Sequence, residues 1–356
     1  MLRSKHLLWS LPLGLFLFLL WRADWDVRYL GRVLWHRDSS TRDLAWKDQR
    51  TITATHARPW RVAGACPRGI ESYLASNHAL EFVIIRDGAL ACEWYGNGGA
   101  KDHPAMAFSV SKVVTSFLLT RSQLPLDSSI TTYIPELAKR DARFSKITLA
   151  DLVDMRSGIE FNEDAHFPWV DQDAPRVYYA SDLEHTVVTK PVIVTAPGKF
   201  TYNDYAPNLN GLAMARGTKH SIVEMTQVLW NELGAESPAA WLVDDHGFAW
   251  HESGFVATAR DLARIGQFVL DHPDDPWVAR SRDPVGRAKV ETFAGIDVGY
   301  RNAWWTLGDD LVGMGRWGQI MVVDPKTRTV IVRLGLDGGS ETNIAIAQRL
   351  AALAAE

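Results

Sequence analysis

The sequence predicts an α+β fold: an antiparallel sheet flanked by helices, with an all-helical lobe inserted. Three observations lead there. Strand-like hairpins lie around 80–95 and 319–335, near the two ends of the folded part. Residues from about 110 to 250 read as helices and loops. An alanine-rich helix closes the chain. Hairpins segregated from helices, rather than alternating with them, imply an antiparallel sheet and not a doubly wound one. At 356 residues and 47% hydrophobic, the chain can bury a large core.

Each element has its own signal. At the start, Arg3 and Lys5 precede an apolar run from Leu7 to Trp21. A positive flank before an apolar core is the pattern of a signal peptide or signal anchor. The run is short for a spanning helix, and RADWDVRYLGRVLW after it has no small-x-small cleavage site. We expect residues 1–30 to be an uncleaved anchor in the inner (cytoplasmic) membrane. The positive-inside rule then puts the rest of the chain in the periplasm. The alternative is a buried N-terminal helix. Residues 31–65, mixed and rich in Arg, Trp and Thr, read as a connector, and 66–356 as the folded domain.

In LEFVIIRDGALACEWYG, an Asp-Gly pair (Asp87-Gly88) parts two β-rich runs, a strong hairpin signal. AFSVSKVVTSFLL (107–119) is an apolar helix. ITLADLVDMRSGI predicts a helix with Thr148 near its N-cap, ending near Ser157-Gly158. Helices also follow from the spacing over 221–233 and, after Thr258, over 258–271. GQIMVVDP and RTVIVRLG form a second hairpin. The closing helix has Ser340 as N-cap and Glu341 in its first turn.

Composition excludes several functions. The formal charge of 38 − 42 = −4 carries no nucleic-acid footprint. The 11 His are scattered without HExxH spacing, so neither a metal nor another cofactor is expected. Gly313 to Gly318 matches GxGxxG, but a strand follows where a dinucleotide site needs a helix. No GxSxG elbow is present. Cys66 and Cys92, the only two cysteines, lack CxxC spacing and form either one disulfide or two buried thiols. Most of the 15 Trp are expected to fill the core.

The chemistry centres on Ser109-Val110-Ser111-Lys112. Positions i and i+3 share a helix face, so the lysine amine reaches the serine hydroxyl. Serine is a weak nucleophile without a base beside it. Lysine can be that base if its surroundings lower its pKa. A single SxxK match is near what chance provides, and a surface lysine on a core helix reads the same. Two further features follow in order: Tyr202 after the Pro197-Gly198 turn, and the Gly-rich bend of GMGRWGQIMVVDP before a strand.

This order resembles the SxxK serine hydrolases: class C β-lactamases, D-Ala-D-Ala peptidases, and the related esterases and 6-aminohexanoate-dimer hydrolases. The resemblance runs from about Leu80 to the C-terminus and is nearer the esterase/amidase branch. SGFVATARDLARIGQ and YRNAWW add to it. It implies the two-lobed β-lactamase/transpeptidase-like fold, with the site between the lobes. It implies an acyl-enzyme on Ser109, with Lys112 as general base and Tyr202 as proton shuttle, its phenol made easier to ionise by the lysine. The N–H groups of Ser109 and Gln319 would form the oxyanion hole. Where relatives carry Lys-Thr-Gly or His-x-Gly, this chain has Arg316-Trp317-Gly318. Those three residues are expected to bind substrate, with Arg316 on a carboxylate. The Tyr-x-Asn motif reads Tyr202-Asn203-Asp204, so Asp204 either contacts substrate, pairs with Lys112 or caps the next segment. The expected activity is cleavage of an amide or ester in a small-molecule or peptide-like substrate. Rivals are a D-Ala-D-Ala carboxypeptidase or β-lactamase, and a non-catalytic binding protein on the same fold. Oligomeric state is left open.

Overall fold

Asp87 and Gly88 both take positive φ, 47° and 70°, and close the tight turn that their pair predicts. The computed structural model describes residues 4–36, 47–163, 170–336, 339 and 341–354, with side chains in the first helix from residue 13 on. The chain begins with helices α1 (Ser4–Arg22) and α2 (Val27–His36), strands β1 (Asp48–Ile52) and β2 (Arg61–Val62) and helix α3 (Ile70–Ser76). The hairpin strands β3 (Ala79–Arg86) and β4 (Ala89–Tyr95), short β5 (Ala105–Met106) and helix α4 (Ser111–Arg121) follow. The helical lobe holds α5 (Pro135–Arg140), α6 (Leu149–Val153), α7 (Asp173–Tyr178), α8 (Leu183–Thr189), α9 (Tyr205–Thr218) and α10 (Ile222–Leu233). Next are β6 (Ala239–Val243), β7 (Phe255–Ala257), α11 (Ala259–Asp271) and α12 (Pro276–Arg282). Strands β8 (Ala288–Phe293), β9 (Ile296–Arg301), β10 (Trp304–Leu307), β11 (Asp310–Gly315), β12 (Gln319–Asp324) and β13 (Thr329–Gly335) then lead to α13 (Asn343–Ala354).

The main sheet has the order β2-β4-β3-β13-β12-β11-β10-β9-β8. All its pairs are antiparallel except β2 with β4. Strand β3 lies deep inside and is apolar on both faces, so helices cover both. Phe82 and Ile84 join Ile331, Ile346 and Leu350 on one side. Val83 and Ile85 join Val330, Leu262 and Ile265 on the other. This is the α+β arrangement expected, with both hairpins in one sheet.

The sequence reading missed several things. Residues 48–62, expected in a connector, supply β1 and β2, which pair with β6 and β4. A second sheet, β1-β6-β7-β5, runs through the base of the helical lobe. Helix α6 keeps its predicted cap, a capping box of Thr148 and Asp151, but stops at Val153. The reason is tertiary: Asp154 accepts from Arg280, Arg301 and the Asn302 N–H, and Met155 turns to positive φ. Cys66 and Cys92 form a disulfide, which settles the open alternative. The expected cap Ser340 lies outside the described residues.

No helix among the described residues is long and apolar enough to cross a membrane. One side of the end of α1 is buried: Leu19 and Leu20, with Ala23 just after the helix, pack with Tyr29, Leu30 and Val33 of α2 against Val170 and Tyr179. Tyr29 donates to Val170 O at 2.7 Å. From Leu13 to Phe18, by contrast, every residue is exposed.

Glu81 of β3 is buried, and its carboxylate accepts from the Ala259 N–H at 2.8 Å, at the start of α11. Burial, with Asp261 nearby, pushes its pKa from 4.5 up to about 8 against that hydrogen bond. The folded value lies above the unfolded one. The stabilising contribution is therefore full below pH 4.5 and is lost as pH rises through 8. Glu81→Gln keeps an acceptor for Ala259 without the charge. We predict equal melting temperatures at pH 4.5 and a variant more stable at pH 9, by on the order of 2 kcal/mol, in thermal unfolding followed across pH.

Candidate active site

The nucleophile loop is held from two sides. Strand β5 pairs Met106 with Val256, and the Ala107 N–H donates to Phe255 O at 2.8 Å. Phe108 then takes a positive φ of 46° and opens a 3-10 turn that leads into α4. Ser109 sits in this turn, partly exposed between the buried Phe108 and Val110. The helix beyond is buried all round, on Val113, Val114, Phe117 and Leu118. Its polar residues are consumed by neighbours. Ser111 accepts from the Phe255 N–H at 2.9 Å, and Thr115 and Ser116 donate to the carbonyls of His251 and Asn302.

Lys112 is 2% exposed and its charge is fully partnered. Its Nζ donates to Ser109 Oγ at 2.8 Å and to Glu252 O at 3.1 Å, and stands 2.8 Å from Asp204 Oδ1 in an ion pair. The Tyr202 ring centre is 4.8 Å from Nζ, and Tyr202 itself stacks on Trp305. Burial pulls the ammonium pKa down, but Asp204 and Tyr202 outweigh it and hold it above its ordinary value. This reverses the expectation of a lysine made neutral by its surroundings. Tyr202 also departs from expectation. Burial raises its phenol, and the opposing influence of Lys112 does not overcome that.

Asp204 is resolved among its three alternatives. Asn203 caps α9, accepting from the Ala206 N–H at 2.8 Å, while the Asp204 side chain makes no cap bond. That carboxylate goes to Lys112 rather than to a substrate-facing position.

The Arg316-Trp317-Gly318 stretch forms the turn between β11 and β12. Arg316 is exposed, with its guanidinium 4.9 Å from the Trp317 ring centre. Trp317 takes a positive φ of 62° and meets Phe108 edge-on at 5.0 Å. Gly318, expected on the substrate, is buried under the sheet. A Cβ there would stand 2.2 Å from the buried Arg333 guanidinium. The Gln319 side chain is structural. It donates to Gly335 O and accepts from the Gly335 N–H, tying this turn to the end of β13. The backbone set directly against the nucleophile is that of Gly315. A Cβ there would lie 3.1 Å from Ser109 N and 2.6 Å from Ala107 O.

Sequence reading also missed a second layer. Glu252 is buried behind Lys112, and burial, with Asp204 adding to it, raises its pKa to about 7. Lys47 opposes that rise from the far side. The Lys47 ammonium sits 3.8 and 3.7 Å from the Tyr178 and Trp250 ring centres. Tyr178 stacks in turn on Phe108, beside the nucleophile. Neither Lys47 nor Glu252 belongs to a sequence motif. Only Gly315, the glycine closing GMG just before the turn, could have been singled out.

Known proteins share this architecture. The family model described as Beta-lactamase matches residues 70–356. The chain belongs to the beta-lactamase family. It is therefore a hydrolase of serine type by family. It is 27% identical over 338 residues to 6-aminohexanoate-dimer hydrolase of Paenarthrobacter ureafaciens, covering 87% of this chain and 84% of that protein. Among solved structures, a candidate 6-aminohexanoate-dimer hydrolase from Bacillus anthracis superposes with TM-score 0.75 at 22% identity, over 90% of this chain and 92% of that one. A candidate β-lactamase from Bacteroides dorei does so with TM-score 0.62 at 15% identity, over 80% and 96%. These two structural likenesses bear on the fold, which is of the β-lactamase/transpeptidase type.

Gly315→Ala forces the strand away from Ser109 by about 1 Å. A displacement of that size costs about 100-fold in rate. We predict that loss in the labelling rate of Ser109 by a fluorophosphonate, with a melting temperature within a few degrees of the parent. An unchanged labelling rate would show that the β11 backbone does not shape the site.

Proposed function

We propose that this protein hydrolyses linear amides or esters through an acyl-enzyme on Ser109. The observation that carries this reading is the 2.8 Å contact between Ser109 Oγ and Lys112 Nζ, buried beneath and open at the serine. In acylation Oγ bonds to the substrate carbonyl carbon as its proton passes to Lys112. The carbonyl electron pair moves onto oxygen, beside the Ser109 N–H and the β11–β12 turn. Tyr202, whose ring centre is 4.8 Å from Lys112 Nζ, is placed to hand a proton to the leaving nitrogen or oxygen. Water then releases the acyl group by the reverse path.

Arg316 favours a substrate ending in a carboxylate. It is exposed in the β11–β12 turn, and no ion pair to it is present among the described residues. The similarity to a protein named as a hydrolase of a 6-aminohexanoate dimer points the same way. The Arg-Trp-Gly turn, in place of Lys-Thr-Gly, argues against penicillins. Fluorophosphonate labelling that disappears in Ser109→Ala and falls at least 100-fold in Lys112→Ala, without labelling by a fluorescent penicillin, is the expected result. Penicillin labelling would favour the cell-wall branch, and no labelling by either reagent the non-catalytic binding protein. Arg316→Ala is expected to raise KM about tenfold for amides with a free carboxylate and to leave their methyl esters unaffected.

We also infer that α1 holds the protein at the inner membrane, with the hydrolase domain in the periplasm. Support comes from Leu13, Leu15, Phe16, Leu17 and Phe18, exposed on successive positions and so on every side of the helix. Arg3 and Lys5 precede them. The Cys66–Cys92 disulfide suits an oxidising compartment. The full chain is expected in the membrane pellet after a high-salt wash; recovery in the soluble fraction would remove the inference.

A further inference from the structure

We propose that Asp204 takes up the proton that Lys112 must lose before it can act on Ser109, so that the two side chains work as one proton-holding unit. The inference rests on the acyl-enzyme reading above. It starts from the count of protons around one nitrogen. An ammonium that donates to Ser109 Oγ and Glu252 O and is ion-paired with Asp204 has no lone pair to offer Ser109. One of its protons must leave.

The three acceptors differ in what they can hold. Ser109 Oγ is the group to be deprotonated. Glu252 O is a backbone carbonyl and does not keep a proton. Only the Asp204 carboxylate, 2.8 Å away, is basic enough. Transfer from Nζ to Oδ1 turns ammonium and carboxylate into amine and carboxylic acid, with no change in net charge or in the number of bound protons. The Nζ lone pair then accepts the Ser109 proton as Oγ attacks. When the leaving group departs with a proton supplied through Tyr202 and Lys112, Asp204 returns its own. The ion pair is the resting form, since Asp204 and Tyr202 outweigh burial at Lys112; burial lowers the cost of passing through the neutral pair, which is easier to keep out of water than two charges. The local sequence also frees Asp204 for it, since Asn203 has taken over the capping of α9.

The groups facing this pair can all be named. Ser109 comes with α4, Tyr202 precedes α9, and Glu252 precedes β7 with Lys47 behind it. Tyr300 of β9 stands 6.0 Å from the Tyr202 ring and donates to none of them. Among them Glu252 also titrates in the neutral range.

The consequence is a pH profile. The active form holds as many protons as the resting form, so the parent's fluorophosphonate labelling rate should stay level from pH 6 to 9. In Asp204→Asn the proton must leave for solvent. Labelling at pH 7 should drop at least 100-fold and climb about tenfold per pH unit until Lys112 is neutral. Asp204→Glu should restore the level profile. Asp204→Asn that keeps a level profile, or labels faster at pH 7, overturns the inference. So does a parent whose own rate climbs tenfold per unit through neutrality, which needs no variant to fold. Glu252→Gln separates the second carboxyl: a limb that moves only in that variant assigns the proton to Glu252 and overturns the role of Asp204. A parent that is not labelled at any pH defeats instead the acyl-enzyme reading.

Discussion

One buried ammonium governs this site. Removing the Lys112 charge from water would cost several kcal/mol if nothing compensated. Three elements therefore converge on it: the turn before α4, the segment before α9 and the loop before β7. Each brings one acceptor. On the buried helix that carries Lys112, Ser111 and Thr115 bond to the segment at the start of β7 and before it.

The same constraint explains why the site is layered. Asp204 balances Lys112, and Glu252 stands between Lys112 and Lys47. Lys47 rests on Tyr178 and Trp250, and Tyr178 rests on Phe108 next to the nucleophile. Acidic and basic groups alternate inward from the cleft, and burial pulls the Lys47 amine well below its ordinary value and lifts Glu252 to about 7, which limits the charge held in a low-dielectric interior. A change in the outer layer therefore reaches Ser109 through packed aromatic rings rather than through solvent.

Much of this was legible in the sequence, and the reasons are local. Asp87-Gly88 dictates a turn, Thr148, Ser221 and Thr258 cap helices from their own side chains, and apolar β-branched runs mark β3 and β13. SxxK places two side chains one turn apart, which no tertiary contact need assist. What escaped is long-range. Strands β1 and β2 look like linker because they are short and exposed, and pairing alone defines them. The protonation of Lys112 was misjudged because its decisive neighbour lies 92 residues away, counting from 112 to 204. Gly318 reads as a substrate residue until the buried Arg333 is known to lie under it.

The pairing of β3 with β13, Val83 opposite Val332, joins the two ends of the folded chain at the middle of the main sheet. Loop closure over so long a separation is slow, and no early intermediate can complete that core. A ribosome or a translocation pore releasing this chain from its N-terminus meets a polypeptide whose central strand has no partner on one edge until nearly the last residues emerge. The chain is exposed to aggregation over that interval.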